Sequence, residues 1–351
     1  IQDVVVQTQR NVSGSMSVNV LPTRVDEVDP NELDVEADVG DTTKTFEEIR
    51  KDVQNDFGLE ERQITMFEIM AASMLRRQLE TLDMSSADYR QSEMFISKFT
   101  FDEQVLMFAS GEGGTGKSRV IKAFCEFTQR IGRAKALCVS ATMGTSASLI
   151  DGVTWHRAVG WGQRKIKPSL QSQWQTITTM IIDEVSMLAP TQLQEIDNRL
   201  RVLTGRDKKF GDIDMFFFGD FEQLPPVMSK MLFSKNIGTH SSTYRGLHIW
   251  KNSLTHSLTL TKNFRALHDP TFQSALRSFR GTIDNTNARN TVTLLNRRCS
   301  TKPQDMYTVD TTVIVPETNT VFEKNCARAR LRAFSTPKRG TWKEMGCITI
   351  N

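Results

Sequence analysis

Eight residues constrain this chain more than any others: Gly111-Glu-Gly-Gly-Thr-Gly-Lys117-Ser118. They follow the apolar run Val105–Ala109 and lead into a stretch of helical character, Lys117–Arg130. Gly111, Gly113, Gly114 and Gly116 let backbone N–H groups curl around an anion with no Cβ in the way. The helix that starts at Lys117 turns its positive dipole end to the same place. Lys117 adds a point charge for β/γ-phosphates, and Ser118 adds a hydroxyl suited to Mg²⁺. A strand, a glycine loop and a helix in that order make a phosphate cradle. Its candidate residues are those four glycines, Thr115, Lys117 and Ser118.

The rest of the chain repeats the strand-then-helix rhythm. Apolar runs occur at Val105–Ala109, Ala136–Val139, Met180–Ile182, Met215–Phe218 and Val313–Val315. They are continuous rather than alternating, which predicts strands buried on both faces and therefore a parallel sheet. Helical spacing is found at Gln63–Leu82, Lys117–Arg130, Thr145–Asp151, Pro190–Leu203 and Thr271–Arg280. Pro190 suits the first turn of its helix. The expected class is α/β, an open doubly wound sheet with helices on both faces.

Composition narrows the function. With 351 residues the chain is long enough for about two domains. No window of 18 residues is apolar throughout, so no membrane-spanning helix is expected. The five cysteines are scattered with no C-x-x-C pair, which fits a reducing compartment better than a disulfide or zinc scaffold. Charge is uneven: residues 1–60 hold 14 acids against 5 Lys/Arg, and the remainder 27 against 39. A basic body suits an anionic partner. Residues 1–45, with the acidic stretch Asp26–Asp38, read as a linker or poorly ordered arm, and a start at Ile1 is expected of a fragment.

Two further segments end strands. Ile181-Ile182-Asp183-Glu184 places carboxylates at a strand's carboxyl end, where open α/β sheets bind ligands. Asp183 is a candidate for Mg²⁺, and Glu184 for polarising an attacking water. Met215–Gly219 leads to Asp220-Phe-Glu-Gln223-Leu-Pro-Pro226, where the Gln223 amide is a candidate sensor of the γ-phosphate. Trp155, Trp161 and Trp174 are candidates for base stacking, against a bland reading as core residues. The basic run Lys324, Arg328, Arg330, Arg332, Lys338 and Arg339 is as well explained by a solvated face as by a backbone-tracking groove.

Together these segments resemble the petite-integration-frequency (PIF-type) DNA helicases, RecD-like members of helicase superfamily 1. The match runs over roughly residues 58–330 and includes Leu59-Glu-Glu-Arg-Gln63, Gly152-Val-Thr-Trp-His156, Leu193–Arg201 and Leu258–Arg265, with Arg280-Gly281 after them. The glutamate in the phosphate loop is similar to that of Helitron-type transposon helicases. The resemblance implies a P-loop NTPase of RecA-like fold that uses ATP and Mg²⁺ and acts on single-stranded DNA and duplex junctions with 5′→3′ polarity. It implies that Gln63 reads adenine, that Thr154 and His156 contact DNA, that Arg265 is an arginine finger, and that the setting is nuclear or mitochondrial. Telomere upkeep, repair, recombination and transposition are all compatible. The domains implied are an acidic segment 1–57, a first RecA-like domain 58–255 and the start of a second, 256–351. Met143 departs from the family's hydroxyl at that position. The second domain's later motifs have no counterpart before Asn351, so weak turnover is expected. The rival readings are a degenerate nucleotide- or DNA-binding module without motor activity, and a P-loop NTPase acting on other substrates.

Overall fold

The computed structural model describes residues 43–79, 82–84, 86–101, 104–234, 242–278, 280 and 291–293, and two short strands, β1 (Val6–Gln7) and β2 (Asn19–Val20). The acidic stretch Asp26–Asp38, the predicted strand Val313–Val315 and the basic run from Lys324 lie outside these residues. The chain divides into two compact units, one formed by Ile1–Asp34 with Asn285–Asn351, the other by Val35–Asp284. In the first, β1 and β2 pair antiparallel, Val6 opposite Val20.

The second unit holds a six-stranded sheet. Its strands are β3 (Leu106–Gly111), β4 (Leu137–Ala141), β5 (Val153–Thr154), β6 (Thr179–Asp183), β7 (Asp214–Gly219) and β8 (His256–Leu260). They lie in the order β5-β4-β6-β7-β3-β8, with every pairing parallel. The intervening helices are α4 (Lys117–Arg130), α5 (Gly144–Leu149), α6 (Trp155–Ala158), α7 (Pro168–Trp174), α8 (Pro190–Thr204) and α9 (Ser242–Ser253), followed by α10 (Pro270–Ser278). Ahead of the sheet come α1 (Phe46–Asp56), α2 (Glu61–Leu79) and α3 (Ala87–Ile96).

Strand β7 shows why the sheet needs two layers of helix. Every residue of β7 is buried, and side chains alternate between faces. Phe216 meets Phe124 of α4 edge-on at 5.9 Å. Phe217 faces the other way and meets Trp250 of α9 at 5.3 Å. The first face is covered by α1, α2 and α4, through Phe67, Met70, Phe124 and Phe127. The second is covered by α8 and α9, through Leu193, Ile196, Leu200 and Trp250. Trp155 and Trp174 belong to this second core at 1% and 2% exposure, so of the three candidate stacking tryptophans only Trp161 reaches solvent.

Several elements differ from the sequence reading, and β5, α6 and α7 have no predicted counterpart. Residues 46–56, expected in a poorly ordered segment ending at 57, form α1. A capping box starts it, with Thr45 Oγ1 accepting from the Glu48 N–H and Glu48 accepting from the Thr45 N–H, and Ile49 and Val53 bury its inner face. The polar stretch after Leu82 contains α3, capped by Ser86. Helix α9 has too few apolar residues to show a period; Leu247 and Trp250 carry its contact. Strand β8 was placed in a second domain starting at 256, yet it pairs with β3 as the sheet's edge. Its burial alternates instead of running continuously, the mark of an edge strand half open to solvent.

At the amino ends of the strands a fully buried carboxylate joins the layers. Asp214 accepts hydrogen bonds from Ser73 Oγ at 2.6 Å, from the Val105 N–H at 2.9 Å and from Arg77 Nη2 at 2.9 Å. Arg77 also reaches Asp212 at 3.2 Å. Truncation at Asp214 leaves the half-buried Arg77 guanidinium with Asp212 alone and strands the Ser73 and Val105 donors. The Asp214→Ala variant should lose about 3–5 kcal/mol of stability by chemical denaturation, far more than an exposed ion pair such as Lys44–Asp52.

Candidate nucleotide site

The phosphate loop leaves the carboxyl end of β3 and turns into α4. Two of its glycines are irreplaceable on steric grounds. Gly114 and Gly116 have φ of +92° and +89°. A Cβ at Gly116 would stand 2.2 Å from Gln63 Nε2, and one at Gly114 would stand 2.6 Å from the Arg265 Cβ. The loop is therefore gripped from two sides. Buried Thr115 ties its own turn, Oγ1 donating to the Glu112 carbonyl at 2.8 Å. Lys117 Nζ donates to the carbonyls of Gly111 at 2.6 Å and Glu112 at 3.2 Å. Burial lowers the pKa of Lys117, while the carboxylates of Glu184, Asp220 and Asp183 oppose that shift. Ser118 lies exposed one residue further along α4.

Gln63 makes the first grip. It is 1% exposed; its Oε1 accepts from the Glu60 N–H at 3.0 Å and its Nε2 donates to the Thr115 carbonyl at 3.0 Å. In this structure the amide fastens α2 to the phosphate loop.

Asn263, Phe264 and Arg265 make the second grip. They follow β8, which lies beside β3, so the chain leaving the edge strand passes over the loop. Asn263 is 4% exposed and donates to the Gly113 carbonyl at 3.0 Å; its Oδ1 accepts from the N–H groups of Arg265 and Ala266. The Phe264 N–H donates to the Gly114 carbonyl at 2.9 Å. Arg265 then presents its guanidinium to the loop's open side. A Cβ at Gly113 would be 3.7 Å from both Arg265 Nη1 and Gln223 Nε2. Among the described residues Arg265 has no ion-pair partner, whereas Arg277 and Arg280 on the same rim are paired with carboxylates.

Asp183 and Glu184 end β6, two strands from β3 across β7. Burial pushes the Asp183 carboxyl up to about 6; the Glu184 N–H, donating to Oδ1 at 2.9 Å, pulls it down, and the Glu184 carboxylate pushes it up again. Glu184 itself sits at φ +56°. Its carbonyl accepts from Thr142 Oγ1 at 3.0 Å, which ties the end of β6 to the end of β4. An undercompensated carboxylate facing the loop's lysine suits a cation. Among the described residues no three His, Cys, Asp or Glu side chains cluster as a metal cage. The undercompensated Asp183 carboxylate is a donor suited to Mg²⁺ that arrives with phosphates and takes one or two protein ligands. Asp183, with the exposed Ser118 hydroxyl at the start of α4, would be the residues to hold it.

Three residues that carried no role in the sequence reading complete the rim. Arg280 makes a two-pronged pair with Asp220, at 2.9 and 2.6 Å, and also reaches Glu222 and Glu112. Asp220 in turn accepts from Gln223 Nε2 at 3.1 Å. Burial is the largest influence and works against the Asp220 charge, but the Arg280 hydrogen bonds and charge, together with the Glu222 N–H and the Gln223 amide, outweigh it and hold the pKa below the usual carboxylate range. Asp220, Arg280 and Asn263 all lie within quoted motifs. Their roles depend on partners 60 to 150 residues away, which no local pattern reveals.

Thr154 and His156 sit apart, at the opposite edge of the sheet. Four strand spacings separate β5 from β3, roughly 19 Å. Thr154 caps α6. The His156 ring stacks on Trp155 at 3.7 Å, and burial lowers its pKa.

Residues 84–291, more than half of the chain, match the family model described as PIF1-like helicase. The chain belongs to the PIF1-like helicase family. Protein 030L of Invertebrate iridescent virus 6 is 31% identical over 193 residues, 51% of this chain and 36% of that protein. The ATP-dependent DNA helicase PIF1 of Saccharomyces cerevisiae is 30% identical over 195 residues, 52% of this chain and 22% of the helicase. The chain thus spans between a fifth and two fifths of these relatives. The crystal structure of Pif1 helicase from Bacteroides in complex with ADP-AlF3 and ssDNA is similar at a TM-score of 0.54 and 26% identity, over 70% of this chain and 57% of that one. The α/β sheet with helices on both faces is the RecA-like arrangement expected.

Folding raises the Asp183 pKa, so the folded chain takes up a proton that the unfolded chain releases. The cost of burying this charge is full above about 6, shrinks as pH falls below that value, and is gone near the ordinary carboxylate value of 3.8. The Asp183→Asn variant should therefore be more stable than the parent at alkaline pH. Its advantage should shrink as pH falls through about 6 in a series of denaturant titrations.

Proposed function

We propose that this chain is the ATP-hydrolysing part of a DNA helicase that couples turnover to movement along single-stranded DNA. The observation that carries the reading is the convergence of Gln223 and Arg265, from two separate segments, over Gly113 of the phosphate loop. A nucleotide-binding loop needs neither group to bind phosphate; a motor needs groups that respond to its loss.

The roles follow from position. The loop glycines and Thr115 cradle phosphate, and Lys117, released from the Gly111 and Glu112 carbonyls, meets the β/γ-phosphates. Mg²⁺ bound at Ser118 and Asp183 would neutralise charge developing on the phosphoryl oxygens. Glu184 orients and polarises the attacking water. Arg265 stabilises charge on the transferring group, and Gln223 registers its departure. Gln63 supports the loop from beneath and reads adenine if its amide is freed from Thr115. Thr154 and His156 offer a strand-contacting edge remote from the chemistry. That separation lets one domain hold nucleotide and DNA together. The Bacteroides relative crystallised with both ligands supports this pairing. Single-stranded DNA and duplex junctions as partners, 5′→3′ polarity, a nuclear or mitochondrial setting, and service in telomere upkeep, repair, recombination or transposition are parts of the same proposal.

The test is ATP hydrolysis by the chain with and without a single-stranded oligonucleotide, alongside binding of a fluorescent nucleotide. Lys117→Ala should abolish turnover; normal turnover in that variant overturns the reading. Glu184→Gln should keep nucleotide binding and lose about 10²- to 10⁴-fold in kcat. Arg265→Ala should lose about 10³- to 10⁵-fold in kcat with little change in nucleotide affinity.

A further inference from the structure

The turn after α6 carries a side chain that neither the core nor the nucleotide site uses. Trp161 stands between Gly160 and Gly162, both left-handed at φ +62° and +82°. A Cβ at Gly160 would also lie 2.7 Å from Leu170 Cδ2. The Trp161 N–H is fixed to the His156 carbonyl at 2.8 Å, and its ring packs edge-on against His156 at 5.0 Å. The backbone is thus tightly specified, yet the ring is 51% exposed. Folding this turn leaves a large aromatic half in water, and it does so beside His156.

The surroundings are polarised. Arg164, Lys165 and Lys167 follow on the same loop, all exposed and without an ion pair among the described residues. The loop is pinned to α8 by Arg199, whose Nη2 donates to the Gln163 carbonyl at 3.1 Å and whose Nε donates to Glu195 at 3.0 Å. Between Trp161 and α8 runs a groove of about 330 Å³, lined also by Gln194, Glu195 and Asn198. Gln194 is 9% exposed, and its Oε1 is buried without a hydrogen-bond partner among the described residues. A buried amide oxygen of that kind calls for an N–H donor.

We propose that Trp161 and this groove form a nucleobase-stacking subsite for single-stranded DNA. The indole stacks on an unpaired base, the Gln194 side chain turns to bring Oε1 to an exocyclic amine or ring N–H, and Arg164, Lys165 and Lys167 track the phosphates. The Glu195 carboxylate keeps phosphate out of the groove, so the base enters and the backbone stays on the cationic side. The subsite extends the edge begun by Thr154 and His156, and it rests on the DNA-motor reading above.

The test uses the full chain, a short oligo-dA strand and an abasic strand of equal length and charge, with fluorescence anisotropy at fixed salt. Trp161→Ala should weaken oligo-dA binding about five- to 150-fold, the worth of one stacked base, and leave the abasic strand's affinity unchanged. Trp161→Phe should retain most of the binding. Replacing Arg164, Lys165 and Lys167 together by Ala should flatten the salt dependence of log K by about 2 for both strands. If Trp161→Ala binds oligo-dA as the parent does, the subsite is overturned while the helicase reading stands. Equal losses on both strands also overturn it, because the residue then acts through the fold. If the parent binds neither strand, both readings fall.

Discussion

A glycine loop around phosphate has no side chains of its own to hold its shape, so its shape must be supplied by neighbours. Here the Phe264 N–H, bonded to the Gly114 carbonyl, and the Gln63 amide, bonded to the Thr115 carbonyl, supply it from opposite sides. Both contacts need backbone approach that any Cβ at Gly114 or Gly116 would prevent. The demand reaches far into the fold. Gln63 is delivered by α2, whose other end is anchored at Asp214 through Ser73 and Arg77. Phe264 is delivered by β8, which must lie next to β3 for its exit to cross the loop. Sheet order and helix placement both serve this small clamp.

The two ends of the sheet treat buried aspartates in opposite ways. At the amino ends, Asp214 receives an arginine, a hydroxyl and a backbone N–H, and its charge is matched within the fold. At the carboxyl ends, Asp183 receives one backbone N–H and shares its space with Glu184, and its pKa rises to about 6. The first arrangement is stable as it stands; in the second the charge of Lys117 does not offset burial. Folding free energy is spent on that shortage only where a ligand can relieve it. Between them in character is Asp220, compensated by Arg280 yet set on the rim where Gln223 leans on it.

Much of this architecture was legible because parallel strands buried on both faces leave a plain trace. Helix α4 coincides with its predicted span, and β3, β4, β6 and β7 fall within a residue or two of theirs. The trace fails where burial is one-sided. In β8 the pattern alternates and no continuous apolar run marks the strand, while the domain boundary at 256 that the resemblance implies falls on its first residue. Helix α1 depends on Thr45, Glu48 and two buried aliphatics in an otherwise charged segment. The site divides in the same manner. Lys117, Asp183 and Glu184 follow from strand ends and a glycine motif. Asn263, Asp220 and Arg280 act through partners distant in sequence, and the burial of Gln63 against Thr115 is a matter of tertiary packing.

The connection between β8 and the loop clamp is short. Thr261 and Lys262 alone separate the end of the strand from Asn263. Two residues span at most about 7 Å when fully extended, so the link has almost no slack. Strand β8 is fixed by its ladder to β3, and Asn263 is fixed by its bond to Gly113. Any rearrangement of the loop around an incoming phosphate has no spare chain to absorb it on the strand side. It must run forward through Ala266 and Asp269, which accepts from the Phe272 N–H at the start of α10. Helix α10 meets the same loop a second time, through Arg277 Nε beside Glu112 at 3.5 Å, so loop, edge strand and helix are joined by short links.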